Sequence, residues 1–310
     1  MGASDESSTG GPPGVDCNDL PELPVLITVA RTIPGAEDIE FDAHGNVVVP
    51  IRGANSLWLY PREGDGVLLN PDINLASTAG TSILPDGDIV VSDEAQALIA
   101  RVDPDNGQVT PIVYGANGIS GCNGLTVGSD GMMYGASYGS GVVRIDPDTA
   151  EAEVIWAPTG DWGGIDGITF NADESLLYFN EGEIFQMGDG SLFRGLFADG
   201  MVSEVEDLGP PLAGSQGTID GMVTDVCGNV YIATQNVNSP LCAGSSAVRV
   251  DPDGGVEIVA CLGNAAFTPA IAFGSGVGGW ARDAIYVGDW GGELYELQVG
   301  VPGMPQPHLP

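Results

Sequence analysis

Six copies of one hairpin phrase, set roughly 40 to 55 residues apart, predict an all-β chain folded as a six-bladed β-propeller with four antiparallel strands per blade. The phrase is an apolar alternation, a turn centred on Asp-Gly or Gly-Asn, and a second β-rich run. It reads as two strands joined by a tight hairpin. With 48 Gly and 22 Pro punctuating 310 residues, no amphipathic helical stretch of useful length falls between them, so almost no helix is expected. Closed all-β folds commonly use this many residues as one domain.

In chain order, Met1 to Gly14 holds Gly, Ser, Asp, Glu and Pro without an apolar run, and residues 1–22 read as a flexible polar tether. The propeller is expected over 23–300. Val25 to Val29 can supply the outermost strand of the last blade and close the ring, which removes both free sheet edges. The hairpin phrases follow at Glu37 to Val49, Thr81 to Val91, Asn123 to Gly135, Asp166 to Phe179, Asp220 to Ile232 and Ala270 to Val287. Each supplies the two inner strands of a blade. The segments behind them supply the outer two, through passages rich in Asp, Pro and Gly such as Ala100–Gly107, Val143–Asp148 and Val248–Gly254. The last blade ends at Glu293–Gln298 with no outermost strand of its own, and residues 301–310 form a C-terminal tail.

Forty-three acidic residues stand against eight basic ones, all arginine, for a formal net charge of −35. Such a chain repels phosphate backbones and anionic lipid surfaces, so nucleic acid is not an expected partner; the acidity reads as a solvated surface suited to salty surroundings. No 18-residue apolar segment exists, so no transmembrane segment is expected. A polar tether of the kind left when a secretion or lipoprotein signal is trimmed, together with five cysteines, points to an extracytoplasmic compartment. A monomer is expected.

Aligning the copies on the hairpin glycine puts one residue per blade where the innermost strands converge: Glu37, Ala79, Asn123, Asp166, Asp220 and Pro269. Four of these carry oxygen donors. Three carboxylates crowded around an axis repel unless protonated or neutralised. A hard cation with about six to eight oxygen ligands resolves the conflict, and Ca²⁺ accepts carboxylates, amide carbonyls and waters together. Singly, each Asn-Gly or Asp-Gly is an ordinary turn dipeptide; their recurrence at equivalent positions, and the Asp after Glu37 where a turn would want Gly, carry the expectation.

On these residues the repeat resembles that of the calcium-dependent six-bladed propellers, which include the regucalcin and gluconolactonase family, diisopropylfluorophosphatase and the paraoxonases. The resemblance spans about residues 24 to 299 and implies a catalytic calcium faced by Glu37, Asn123, Asp166 and Asp220, although the family usually has Asn where Asp166 stands. It also implies Ca²⁺-dependent hydrolysis of an ester, lactone or organophosphate, a small-molecule substrate, with Asn123 in the site and Asp220 as general base or nucleophile. Gly121 takes the place of the arginine with which gluconolactonases grip a sugar acid, which speaks against an aldonolactone. The paraoxonase histidine pair is absent: the only histidines are His44, in the first hairpin, and His308, in the tail. A non-catalytic propeller with a structural calcium is the alternative, and a metal-free strictosidine-synthase-like propeller a weaker third.

Other chemistry is excluded. Without lysine no Schiff base forms, no histidine is placed for a serine or cysteine nucleophile, and neither a Gly-x-x-x-x-Gly-Lys loop nor zinc spacing occurs. Substrate contacts are expected from the ends of the second strands: Arg52, Asp93, Tyr138, Asn180, Glu181, Gln235, Asn236, Asp289 and Trp290. Propeller topology sets Cys17 and Cys227 on the face of the inner hairpins and Cys242 and Cys261 on the opposite, mouth face of the fifth blade. Those two disulfides are expected, with Cys122 left as a small buried hydrophobe.

Overall fold

A computed structural model describes residues 15–51, 56–70, 77–115, 119, 121–159, 164–181, 190–210, 219–238, 242–263, 265 and 267–309. They form six four-stranded antiparallel sheets, and no helix occurs among the described residues. Blade 1 runs from Glu40–Phe41 through Asn46–Ile51 and Ser56–Pro61 to Val67–Asn70. The innermost strands of blades 2 to 6 are Thr78–Ile83, Cys122–Val127, Ile165–Phe170, Ile219–Thr224 and Ala270–Phe273. Blade 6 takes its fourth strand from the N-terminal side, as expected, but the strand is Ile27–Thr32, two residues further along than Val25 to Val29. Val25 is instead drawn to blade 5, where its N–H donates to Val259 O at 2.8 Å.

The inner hairpins of blades 1, 2, 3 and 5 close alike. The N–H of Gly45, Gly87, Gly131 and Gly228 each donates three residues back, to Asp42, Leu84, Gly128 and Asp225, and each glycine has φ between 77° and 94°. That left-handed conformation costs glycine nothing, which is why the phrase keeps it at the turn. Asp42 and Asp225 reinforce their turns, each Oδ1 accepting from the N–H groups two and four residues on. Apolar side chains fill the seams between blades: Phe41 meets Trp280 and Tyr286 at ring-centroid distances of 5.0 Å, sealing blade 1 against blade 6. Arginines tie seams at the surface, Arg62 to Glu296 and Arg194 Nη1 to Pro252 O at 3.0 Å.

Both disulfides are present, Cys17–Cys227 with a Cα separation of 5.5 Å and Cys242–Cys261 with 5.6 Å. Cys122 is free and buried, and desolvation pushes its thiol up to about 12, so it is no nucleophile at neutral pH. Residues 301–309 cross the face of the inner hairpins. Val226 N–H donates to Pro302 O (3.1 Å), Gly303 N–H to Arg282 O (3.2 Å) and Met304 N–H to Thr224 O (3.0 Å), and His308 Nε2 lies 2.9 Å from Phe41 O. Met304, Pro305, Gln306 and Pro307 thereby form one end of the central cavity, whose volume is about 350 Å³.

Candidate metal centre

The convergence of side chains on the axis has a backbone cause. In blade 3 the innermost strand pairs Cys122 with Ser137 and then Leu125 with Gly135, so Asn123 and Gly124 lie opposite the single residue Ala136. The same two-against-one bulge brackets Ala79-Gly80, Asp166-Gly167 and Asp220-Gly221. A bulge breaks the alternation of a strand and re-aims one side chain. Here it turns Asn123, Asp166 and Asp220 towards the cavity while Cys122, Ile165 and Ile219 stay in the apolar seams. Each bulge glycine then lets the blades close in: a β-carbon at Gly80, Gly124, Gly167 or Gly221 would stand on the carbonyl oxygen of Asn123, Asp166, Asp220 or Pro269 in the next blade. In blades 2 to 5 the glycine after the ring residue therefore sets how closely the next blade approaches.

Glu37, Asn123, Asp166 and Asp220 all line the cavity, with exposures of 2%, 5%, 0% and 3%. Burial raises the Asp220 carboxyl well above its ordinary range, and the neighbouring charges of Asp166, Glu37 and Asp38 raise it further. The ring is thus a set of like charges that resist ionising together.

A second tier of side chains holds the first. Tyr138 OH accepts from Asn123 Nδ2 at 3.0 Å and donates to Asp166 Oδ1 at 3.1 Å. Because the Asn123 amide nitrogen is committed to the phenol, its carbonyl oxygen is the atom left to face other partners. Burial, then the charges of Asp166 and Glu94, raise the Tyr138 phenol far above its usual range, so it stays a neutral donor. Trp290 Nε1 donates to Glu37 Oε2 at 2.8 Å. Its ring, 42% exposed, packs on Phe267 with centroids 4.3 Å apart. Gln235 Nε2 donates to Asp220 Oδ2 at 3.3 Å, while Gln235 Oε1 is buried without a hydrogen-bond partner.

Of the residues expected to contact substrate, Tyr138, Gln235 and Trp290 therefore reach the ring. Asn180 lies opposite the Asp166-Gly167 bulge and satisfies it, accepting from Gly167 N–H at 2.5 Å and donating to Ile219 O at 2.5 Å. Asp93 accepts from Gln96, and Asp289 braces its own turn through Glu293 N–H and Tyr295 OH. Glu181 ends its strand half-buried, its N–H donating to Ser191 O at 3.0 Å. Arg52 and the Asn236 side chain lie outside the described residues.

Two residues escaped the sequence reading. Asp38 occupies in blade 1 the place that glycine takes after the ring residues of blades 2 to 5; its carboxylate accepts from Thr81 N–H (2.7 Å) and Ile39 N–H (2.9 Å), pinning blade 1 to blade 2. Burial raises its carboxyl well above the usual range, against those two hydrogen bonds. Glu94 takes in blade 2 the place of Tyr138 and Gln235, one residue beyond the end of the second strand's pairing. The doubled acid Glu37-Asp38 was the one available signal for Asp38.

The donor chemistry fits a hard cation: the ring offers only oxygens, its charges repel, and a buried amide oxygen beside it lacks a partner. It is not a preformed cage, since among the described residues no three His, Cys, Asp or Glu side chains are grouped to hold a metal ion. Each carboxylate is turned to its own neighbour, Glu37 to Trp290, Asp166 to Tyr138 and Asp220 to Gln235.

No protein-family profile and no curated protein matches the sequence. Solved structures do match. The calcium-binding protein regucalcin from Agrobacterium tumefaciens superposes with a TM-score of 0.69 at 17% identity, covering 93% of this chain and 98% of that one. A gluconolactonase from Xanthomonas campestris gives 0.65 at 17% identity over 89% of each chain. A luciferin-regenerating enzyme gives 0.72 at 14% identity over 92% and 99%. Gluconolactonase- and regucalcin-like structures among the neighbours match the superfamily the sequence resembles, and at these identities the likeness establishes the fold.

Proposed function

We propose that this chain is a calcium-dependent hydrolase of esters, lactones or organophosphates. The observation that carries the reading is the burial of Glu37, Asp166 and Asp220 with the Asn123 amide around one axis, three of them aimed there by successive bulges. Glu37, Asn123, Asp166 and Asp220 would hold Ca²⁺, which when bound polarises the carbonyl or phosphoryl oxygen of a substrate. Asn123 presents its carbonyl oxygen because Tyr138 holds its amide nitrogen. Asp220, buried at the ring with one oxygen accepting from Gln235, would as a carboxylate take a proton from water or attack as a nucleophile. The exposed face of Trp290 offers an apolar wall to the substrate while its indole N–H steadies Glu37.

The neighbourhood of the ring is anionic, which favours an uncharged substrate over a sugar acid. Two disulfides support an extracytoplasmic protein, working as a monomer. The test is hydrolysis of a phenyl ester and a lactone panel with and without chelator, beside the melting temperature in both conditions. Chelator-sensitive hydrolysis is expected. A melting temperature that responds to calcium without any turnover would transfer the chain to the non-catalytic reading. Indifference of both to EDTA would remove the metal altogether.

A further inference from the structure

The Gln235 amide is hydrogen-bonded through its nitrogen and not through its oxygen. Gln235 is 1% exposed, its Nε2 donates to Asp220 Oδ2 at 3.3 Å, and its Oε1 has no hydrogen-bond partner. With Asp220 ionised, as in a ring that holds a cation, the reverse orientation of the amide would set its carbonyl oxygen against the carboxylate, acceptor against acceptor, so the orientation seen is the one that suits the ionised ring. An amide oxygen shut away from water without a donor loses the hydrogen bonds that water gives it in the unfolded chain. A protein keeps such an atom where something supplies the missing partner.

The place narrows what that partner is. Both heteroatoms of the amide are bonded to one carbon, so Oε1 lies beside the same carboxylate that Nε2 touches. That carboxylate feels the charges of Asp166, Glu37 and Asp38. A donor entering there meets an anionic site, and a cation satisfies the orphaned oxygen and the crowded carboxylates together. Amide carbonyls are regular Ca²⁺ ligands, at about 2.3–2.6 Å.

We propose that the side-chain carbonyl oxygen of Gln235 is a ligand of the ring's cation, joining Glu37, Asn123, Asp166 and Asp220. This rests on the calcium reading above. It moves Gln235 from the substrate rim to the metal, and it makes blade 5 a two-point donor through Asp220 and Gln235. A neutral oxygen also adds to the coordination number without adding to the repulsion among the ring's carboxylates.

Calcium titration by calorimetry, with the calcium-dependent shift of melting temperature as a second readout, separates ligation from mere support of Asp220. Gln235→Met removes both amide atoms and keeps the length; Gln235→Glu keeps an oxygen ligand but loses the N–H that Asp220 accepts. Ligation predicts that Gln235→Met binds Ca²⁺ about tenfold more weakly with a smaller thermal shift, whereas Gln235→Glu binds as tightly as the parent or more tightly. If both variants weaken alike, Gln235 only orients Asp220 and the inference is overturned. Binding by Gln235→Met within twofold of the parent also overturns it, with the calcium reading intact. No binding by the parent chain overturns both. Should Gln235→Met fail to fold, Gln235→Glu still decides, because a tenfold loss there contradicts ligation.

Discussion

The phenol of Tyr138 stands between two ring residues of adjacent blades, accepting from Asn123 Nδ2 at 3.0 Å and donating to Asp166 Oδ1 at 3.1 Å. One hydroxyl thus fixes which Asn123 atom faces the axis and where one Asp166 oxygen points. Tyr138→Phe removes both bonds while keeping the ring. Stability should fall by about 1–2 kcal/mol in urea unfolding, and calcium affinity should weaken several-fold because the Asn123 amide is free to turn. An unchanged affinity would show that the phenol orients nothing.

Asp166→Asn gives a pair of opposite signs. Removing one of the like charges that press on Asp220 should raise the melting temperature of the calcium-free protein by about 2 °C. The same change takes a charge from the ligand set, so calcium should bind more weakly and add less to stability. Equal or tighter binding contradicts the charge argument.

Gly167→Ala tests the spacing of the ring. The new methyl would fall on Asp220 O and beside Asn180 Oδ1, both held in place, so the blades must part. A loss of about 3 kcal/mol by urea unfolding is expected. A loss under about 0.5 kcal/mol would mean that the bulge accommodates a side chain.

Thr78 begins the innermost strand of blade 2 at the place where Cys122, Ile165 and Ile219 begin theirs. It is 1% exposed and its hydroxyl has no partner. Thr78→Val keeps the shape and removes the unmet polar atom, so stability should rise by about 1 kcal/mol. A fall of that size in chemical denaturation would reveal a partner for the hydroxyl.

The two disulfides close loops of very different length, 210 and 19 residues in sequence separation. On chain entropy alone, Cys17→Ser with Cys227→Ser should cost about 2 kcal/mol more than Cys242→Ser with Cys261→Ser. Parallel denaturant titrations of the two double variants measure the difference, and a reversed order would assign the stabilisation to local packing.

What could be read from the sequence was what repeats. The hairpin glycine marks the same turn in blades 1, 2, 3 and 5, and Glu174, with φ 55°, holds its place in blade 4, so counting back from that turn finds Asn123, Asp166 and Asp220 without knowledge of any side-chain direction. The second tier was only half legible. The bulge decides whether the end of a second strand aims at the ring or at a neighbouring backbone, and two residues apart the answer differs: Asn180 satisfies the bulge, while Tyr138 and Gln235, which lie past it, reach the ring. Asp38 stayed hidden for a related reason, since strand alternation offers no rule for choosing between adjacent acids at a strand entry where both turn inward. The path of residues 301–309 follows from contacts with blades 5, 6 and 1 that no local pattern announces.

Cys17 is bonded to Cys227, and one residue away Val226 donates to Pro302, so the first and last stretches of the described chain grip one hairpin of blade 5. Strung between two anchors on the same turn, the polypeptide is almost an endless band, and the blade called first holds that rank only by the order of synthesis. A circularly permuted gene, joined across this turn and reopened between any two blades, should encode the same wheel.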